Sequence, residues 1–222
     1  MRNNRAARPL TAALALGLVT ACAAPQPPAE WDGLEYRDAK QLDAVYVRPG
    51  VEFTFYKTVL IDPVEVSFDK NWDPGRDGRE PSRQMSAGDI QALKDEMARE
   101  FGSVLAEELA RGGYRVVEQA AADTLRLSPS IVDVYVNAPD AMTPGRSRTY
   151  TLEAGRMTLV LELHDGPTGQ LLARIIDQKA GTRTGDLQVP SPGADSADFR
   201  RAVSDWARKL REGLDAVNGR TG

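Results

Sequence analysis

The chain has 222 residues but only one cysteine, Cys22, and one histidine, His164. One cysteine excludes an internal disulfide, and one histidine excludes metal centres that need several histidines. The chain also lacks an apolar run of the roughly 20 residues that a membrane-spanning helix needs. We therefore expect neither a disulfide framework nor a membrane-spanning helix.

The first 21 residues have the pattern of a secretory signal. Arg2, Arg5 and Arg8 give a positive start, and no acidic residue precedes Cys22. The apolar stretch from Leu10 to Val19 has half the length of a membrane span, and small residues follow it. This pattern predicts a signal peptide over residues 1–21 that is removed from the mature protein.

The tetrapeptide Val19-Thr20-Ala21-Cys22 is similar to the lipobox of bacterial lipoproteins. The resemblance implies cleavage between Ala21 and Cys22 and acyl chains on Cys22, and at least two chains give a stable membrane anchor. Ala23 stands where an aspartate would signal retention in the inner membrane, which implies the outer membrane, facing the periplasm. The alternative is a free thiol beside an ordinary cleavage site.

Residues 22–30 form the lipidated N-terminus and a Pro-rich segment, Ala24-Pro25-Gln26-Pro27-Pro28-Ala29, typical of an extended tether. Cleavage removes three arginines and no acid, so the mature chain has 25 basic and 32 acidic residues, a net charge of −7 (28 − 3 = 25; 25 − 32 = −7). This acidic balance argues against nucleic acid as a partner. We expect residues 31–219 to form a single globular domain.

Hydrophobic periodicity predicts an α/β (α+β) fold for this domain. We interpret residues 31–55 as an irregular lead-in and residues 56–68 as a strand that Pro63 bends or places at an edge. Ser86 and Asp89 predict the capped start of a helix that Gly112-Gly113 ends. Further strands are predicted at 114–117, 124–136 (with a break at Pro129), 157–163 and 171–177, the last two as a hairpin, and a second helix at 199–217. The expected structure is a mixed sheet of about five strands with both helices on one face, in the order β-α-β-β-β-β-α.

Several short motifs appear in a fixed order after the tether. They are Trp31-Asp32-Gly33-Leu34, Tyr46-Val47-Arg48-Pro49-Gly50-Val51, Ile61-Asp62-Pro63-Val64, Gly113-Tyr114-Arg115-Val116-Val117, Asp133-Val134-Tyr135-Val136-Asn137-Ala138-Pro139, Arg146-Ser147-Arg148-Thr149-Tyr150 and Trp206-Ala207. In this set the chain resembles the bacterial lipoprotein family catalogued as domain of unknown function 3313. The resemblance implies an envelope lipoprotein with an α/β body. It transfers no catalytic residue, because the family has no assigned activity.

One loop has the spacing of a calcium-binding loop. Oxygen-bearing side chains lie at Asp69, Asn71, Asp73, Asp77 and Glu80, the first, third, fifth, ninth and twelfth positions of an EF-type loop. Pro74 stands where the turn needs glycine, and Arg76 and Arg79 bring positive charge. A solvated loop of mixed charge is the competing interpretation.

His164 could act as a general base with the carboxylate of Asp165 or Glu162 beside it. The sequence has no nucleophile-elbow serine and no phosphate-binding glycine loop, so we expect no catalytic residue and no cofactor. The competing interpretation is that His164 is a partly exposed residue at a strand end.

Arg146, Arg148 and Tyr150 form a basic-aromatic cluster that could bind an acidic partner, since arginine binds carboxylates and phosphates bidentately. The alternative is loop solvation. Together these observations favour a non-catalytic binding or scaffold module, anchored at the membrane through Cys22 and serving an envelope protein. A periplasmic hydrolase using His164 and a calcium- or ligand-sensing lipoprotein remain the alternatives.

Overall fold

The computed structural model describes residues 27–72, 86–137, 151–180 and 194–219. Its strands are β1 (Glu30–Trp31), β2 (Leu34–Arg37), β3 (Ala44–Val47), β4 (Thr58–Ile61), β5 (Glu65–Phe68), β6 (Arg115–Val117), β7 (Thr124–Asn137), β8 (Thr151–Asp165) and β9 (Leu171–Ala180). The helices are α1 (Ala87–Arg111) and α2 (Ala194–Val217), and a 3₁₀ turn covers Phe53–Phe55.

These strands form one mixed sheet in the order β1-β2-β3-β9-β8-β7-β4-β6, and β5 also pairs with β7. The pairs β4–β6, β4–β7 and β5–β7 are parallel, and the others are antiparallel. The mixed sheet with two helices is confirmed. The expected count of about five strands is wrong, because the described residues contain nine.

Most of the missing strands lie in residues 31–55, which we expected to be irregular. Strands β1 and β2 form a hairpin, and β3 continues the sheet by pairing with β9. Each of these strands has only two to four residues. Such short segments give too few alternations for hydrophobic periodicity to reveal them.

The predicted strand at 56–68 is two strands, β4 and β5, separated by Asp62, Pro63 and Val64. The bend expected at Pro63 is therefore present, whereas the break expected at Pro129 is absent. Pro129 lies in the continuous strand β7, between the residues that pair with β4 (up to Leu127) and with β5 (from Ser130). Proline lacks an N–H, and this gap in the parallel pairing is a position where a strand tolerates it.

One face of the sheet packs against both helices. Alternate residues of the central strands, including Leu127, Ile131, Leu159, Leu161 and Ile175, are buried in this core with residues of the helices. The helix residues in the core are Leu93, Met97, Phe101, Val104, Leu105, Leu109, Phe199, Val203, Trp206, Ala207, Leu210 and Leu214. Both helices thus cover the same sheet face.

The capping box predicted for α1 is confirmed. The backbone N–H of Asp89 donates to the Ser86 hydroxyl at 3.2 Å, and the Ser86 backbone N–H donates to the Asp89 carboxylate at 2.9 Å. These two bonds satisfy backbone donors that a helix start leaves unpaired. Of the helices in the described residues, none is long and apolar enough to cross a membrane.

Candidate functional site

The sheet face that points away from the helices, which we call the open face, carries the polar side chains of the central strands. Cross-strand pairing places them in rows. One row is Arg126, His164 and Leu171; the next is Ser128, Glu162, Arg174 and Tyr46; a third is Ser130, Val160, Ile176 and Ala44. Tyr46, Ala44 and Arg174 are buried on this face, and of the residues in these three rows only Arg126 is exposed.

Arg174 is the centre of this face, although it is only 8% exposed. Its guanidinium donates to Glu162 at 2.9 Å through Nε and to Asp32 at 2.8 Å through Nη1. The ring of Trp31 lies 4.1 Å from the guanidinium carbon, a cation–π contact. Burial alone would lower the pKa of Arg174, but the hydrogen bonds to Asp32 and Glu162 outweigh it and raise the pKa above its usual value.

A tight hairpin turn brings Trp31 and Asp32 to Arg174. Trp31 pairs with Leu34 across a two-residue loop, in which Asp32 has a φ of 55° and Gly33 a φ of 73°. Positive φ at both loop positions defines a type I′ turn, for which Asp-Gly is a favoured sequence. The local sequence therefore dictates the geometry that presents Asp32 to Arg174.

Aromatic contacts hold the hairpin against the sheet. Trp31 and Tyr36 each meet the ring of Tyr46 edge-on, with centroids 5.7 Å apart in both cases. Leu34, which is fully buried, joins Tyr46 in a second small core on the open face. We refer to Trp31, Asp32, Glu162, His164 and Arg174 as the Arg174 cluster.

His164 lies at the edge of this cluster, and its acidic neighbour is Glu162. The distance from His164 Nε2 to a Glu162 carboxylate oxygen is 3.3 Å, and Nδ1 lies 3.2 Å from the carbonyl oxygen of Gly169. Neither neighbour is a hydroxyl or a thiol that the imidazole could activate by taking its proton. Among the hydrogen bonds of the described residues, the nearby Ser128 hydroxyl donates instead to Asp62, at 2.6 Å.

Asp165, the other predicted partner of His164, has a structural role in the turn after β8. It accepts hydrogen bonds from the Tyr56 hydroxyl at 3.0 Å and from the Thr168 backbone N–H at 3.1 Å. The hydrogen bond from the Thr168 hydroxyl, with lesser contributions from the other two donors, lowers the pKa of Asp165. Burial, together with the Asp165 carboxylate, raises the pKa of Tyr56 to about 12. Asp165 is therefore engaged away from the imidazole.

Of the predicted calcium ligands, the structure describes Asp69 and Asn71. The Asp69 carboxylate accepts the backbone N–H of Asn71 at 2.7 Å and forms an ion pair with Arg156. These contacts lower the pKa of Asp69, the Asn71 N–H being the largest cause. Since a cation at Asp69 would have to compete with the Arg156 guanidinium, this arrangement disfavours calcium. Asp73, Asp77 and Glu80 lie outside the described residues, and within those residues no three acids, histidines or cysteines come together as metal ligands.

Ala21 and Cys22 lie outside the described residues, as do Arg146, Arg148 and Tyr150. Their predicted roles in cleavage, lipidation and partner contact therefore remain predictions. A cavity of about 10 Å³ lies on the other side of the sheet, between the sheet and the two helices, among residues such as Phe101, Leu161 and Trp206. It has the size of one water molecule.

Our sequence reasoning did not identify Trp31, Asp32 and Arg174 as one site. Two signals were present. Asp-Gly between Trp31 and Leu34 is a strong hairpin signal, and an arginine inside the apolar strand Leu171–Asp177 indicates a cation that must find acidic partners. In the Arg174 cluster, Arg174 is thus paired with Asp32 and Glu162 and packed against the ring of Trp31.

Several solved structures are similar to this chain. The PelC dodecamer from Paraburkholderia phytofirmans has a TM-score of 0.36 at 15% identity, covering 75% of this chain and 96% of PelC. A minor lipoprotein from Acinetobacter baumannii has a TM-score of 0.33 at 11% identity, covering 72% and 94%. A DUF4136 family protein from Bacteroides thetaiotaomicron has a TM-score of 0.34 at 10% identity, covering 82% and 97%. Likenesses this low support no functional argument.

No curated protein sequence matches the chain. The profile of the family described as protein of unknown function DUF3313 matches residues 29–210, which is most of the sequence and includes all nine strands. The match confirms the family that the ordered motifs indicated, and it shows that this chain belongs to DUF3313.

Proposed function

We propose that this protein is an envelope lipoprotein, held at the outer membrane by acyl chains on Cys22 and facing the periplasm. Its body acts as a non-catalytic binding or scaffold module for another envelope protein. The observation that carries the proposal is the lipobox-like sequence at residues 19–22, which contains the only cysteine of the chain.

The start of the folded domain is compatible with a tether. The described chain enters the sheet at β1, directly after the Pro-rich segment, and the carbonyl of Ala29 already accepts a hydrogen bond from the Tyr36 backbone N–H at 2.9 Å. Residues 22–29, if extended, span about 25 Å at about 3.1 Å per residue. The body could therefore contact a partner while it remains attached to the membrane.

The chemistry of the open face supports binding rather than catalysis. The charges of Arg174, Glu162 and Asp32 are paired with one another. Arg126 is likewise paired with Asp62, at 2.8 Å. A serine or cysteine nucleophile is activated by a base within hydrogen-bond reach, and the described groups that contact the His164 ring nitrogens are a carboxylate and a carbonyl.

Replacement of the lipobox cysteine tests the anchor. We expect Cys22→Ser to accumulate as an uncleaved, unacylated precursor, and mass spectrometry of the N-terminal peptide of the wild-type protein should show acyl chains on Cys22. The control is Ala24→Ser, a similar change two residues away that should be acylated normally. A wild-type N-terminal peptide without acyl chains would contradict the anchor.

Replacement of residue 23 tests sorting separately. If the organism sorts lipoproteins by the residue after the cysteine, Ala23→Asp should move the protein from the outer to the inner membrane, while Ala23→Ser stays in the outer membrane. Density-gradient separation of the two membranes measures the distribution. A wild-type protein found in the inner membrane would contradict the proposed location without affecting the anchor.

The proposed partner contact is at Arg146, Arg148 and Tyr150. We expect the double variant Arg146→Ala/Arg148→Ala to lose envelope proteins that crosslink in vivo to the wild-type protein. The matched control, Arg99→Ala/Arg200→Ala, removes two arginines that are exposed elsewhere on the surface and should keep the same crosslinked proteins. Identical crosslinking patterns for the two double variants would count against this contact.

A further inference from the structure

One end of the sheet, which we call the turn end, collects several chain reversals. Strands β4, β6, β7 and β9 begin there, and β8 ends there. Segment 48–57 lies at the same end, because β3, which precedes it, ends opposite the start of β9. The Asp32-Gly33 turn lies there too, because β2, which follows it, begins opposite the end of β3. Helix α2 also ends there, since Asp215 near its C-terminus accepts the Tyr114 hydroxyl just before β6, at 2.9 Å.

All four large hydrophobic residues that are exposed in the described parts of the chain lie at this end. They are Trp31 (41% exposed), Phe55 (56%), Val116 (39%) and Val217 (49%). Trp31 adjoins the hairpin turn, Phe55 is in the 3₁₀ turn after β3, and Val116 is the second residue of β6. Val217 is the last residue of α2. The opposite end and the long sides of the helices have none among the described residues.

The distribution of these side chains fits a flat lipid surface better than a protein partner. Trp31 lies in β1 and Val116 in β6. These are the first and last strands in the order of the sheet, so the width of the sheet separates the two side chains. A protein interface normally concentrates its apolar residues in one central patch. A fluid bilayer surface instead accepts separate side chains one by one: Trp favours the headgroup region, and Phe is buried at the boundary between headgroups and acyl chains.

Cations accompany these apolar groups. Lys57 lies two residues after Phe55, and Arg115 directly precedes Val116; both cations are exposed. Long cationic side chains at a membrane surface keep their charge at the headgroups while their stems pack on apolar neighbours. The exposed acids Asp32 and Glu52 lie at the same end, so attraction to anionic lipid is partly cancelled and the apolar side chains should dominate the contact.

The tether permits this orientation. Ala29 and Glu30 lie within three residues of the Asp32-Gly33 turn, about 10 Å along a strand. The proposed tether of about 25 Å from Cys22 is therefore long enough for the turn end to reach the bilayer that holds the acyl chains. Because the anchor keeps the domain within this distance, even a weak insertion would be populated.

We propose that the turn end rests on the phospholipid surface and that Phe55 inserts into it. This inference rests on the proposed lipid anchor. It gives the domain a defined orientation, with the other end of the sheet directed into the periplasm.

A site-specific probe on the acylated full-length protein in phosphatidylcholine vesicles tests the orientation. Thr54→Cys, labelled with a polarity-sensitive dye, places the probe beside Phe55, and Ala92→Cys places it on the exposed side of α1 near the other end. We expect blue-shifted emission and quenching by nitroxide lipids at position 54, about twofold or more, and neither at position 92. Adding Phe55→Ser to Thr54→Cys should abolish the quenching, and the more than half-exposed Phe55 makes misfolding of this variant unexpected.

The alternative outcomes overturn the inference. Equal quenching at both positions, or none at position 54, would mean that the turn end does not face lipid. A blue shift at position 54 without lipid quenching would mean that a protein, such as a second copy of this chain, covers Phe55. The anchor is checked separately with the parent protein, since acylated Cys22 should take up no dye; labelling of the parent would contradict the proposed function rather than the orientation.

Discussion

At the scale of single residues, Arg174 is a charged side chain that is largely buried on the open face of the sheet. It has two carboxylate partners, Asp32 and Glu162, and one aromatic partner, Trp31. Arg174→Ala would remove the guanidinium from both carboxylates and the cation–π contact from Trp31, which would keep its edge-on contact with Tyr46. Water partly screens the charges left behind, because the Asp32 and Glu162 side chains are 54% and 30% exposed. The loss should therefore be close to that of hydrogen bonds to charged groups, about 1.5–3 kcal/mol.

We expect Arg174→Ala to lower the free energy of unfolding by about 2 kcal/mol, measured by urea denaturation. Arg174→Lys should recover part of this loss, because lysine keeps the charge but not the forked geometry. The control is Arg37→Ala, since Arg37 pairs with Glu35 at an exposed position and should change stability by less than about 1 kcal/mol. Equal effects of the two alanine variants would mean that the cluster does not stabilise the fold.

Asp205 gives the second prediction at this scale. Burial alone would raise its pKa, but hydrogen bonds from Lys179 (2.6 Å) and Lys209 (3.1 Å) outweigh it and lower the pKa from 3.8 to about 2. The folded state therefore favours the charged form, so Asp205 stabilises the protein above pH 4 and loses this contribution as the pH falls to 2. We expect Asp205→Asn to be less stable by about 1–2 kcal/mol at pH 7 and to differ little from the wild-type protein at pH 2. Urea midpoints at several pH values measure this, and a difference that is independent of pH would contradict it.

At the scale of elements, replacing two glycines by alanine should change the stability of the protein in opposite directions. A Cβ on Gly166 would lie 2.6 Å from the Thr124 carbonyl oxygen, where the turn after β8 meets the start of β7. A Cβ on Gly213 would meet nothing within 4 Å, and this glycine lies in helix α2. We expect Gly166→Ala to destabilise the protein by about 2 kcal/mol and Gly213→Ala to stabilise it by about 0.5–1 kcal/mol. Thermal unfolding of both variants measures the contrast, and it would be contradicted if both changed stability in the same direction.

The elements that we predicted from the sequence are those with enough local pattern. Helix α1 has a capping box and six buried residues at helical spacing, and β8 has a long alternation. Strands β1 to β3 are too short for a periodic signal. They join the sheet because β3 pairs with the edge of β9, and β2 and β1 follow it. The Arg174 cluster was missed because Asp32 and Glu162 lie far apart in the sequence and reach Arg174 only through the pairing of β3 and β8 with β9.

At the scale of the whole molecule, Asp177 connects three parts of the fold. Its buried carboxylate accepts the indole N–H of Trp206 at 2.8 Å and the backbone N–H of Asp43 at 3.1 Å. The carboxylate of Asp43 in turn accepts the backbone N–H of Gln178 at 2.7 Å. Helix α2, strand β9 and the segment before β3 are thus joined at one side chain, although they lie far apart in the sequence.

Asp177→Asn removes the charge but keeps the shape of the side chain. The new amide NH₂ would face the indole N–H of Trp206 or the backbone N–H of Asp43, which are themselves donors. We expect a loss of about 2 kcal/mol in the free energy of unfolding, because buried donors lose an acceptor. Native-state hydrogen exchange should show faster exchange in β2, β3 and α2, while β4 and β6 at the other edge of the sheet keep their protection. The control Asp95→Asn, on the exposed side of α1, should leave all of these rates unchanged. If exchange instead accelerated uniformly in every strand, Asp177 would support the global fold and would not act as a local connection between the N-terminal strands and α2.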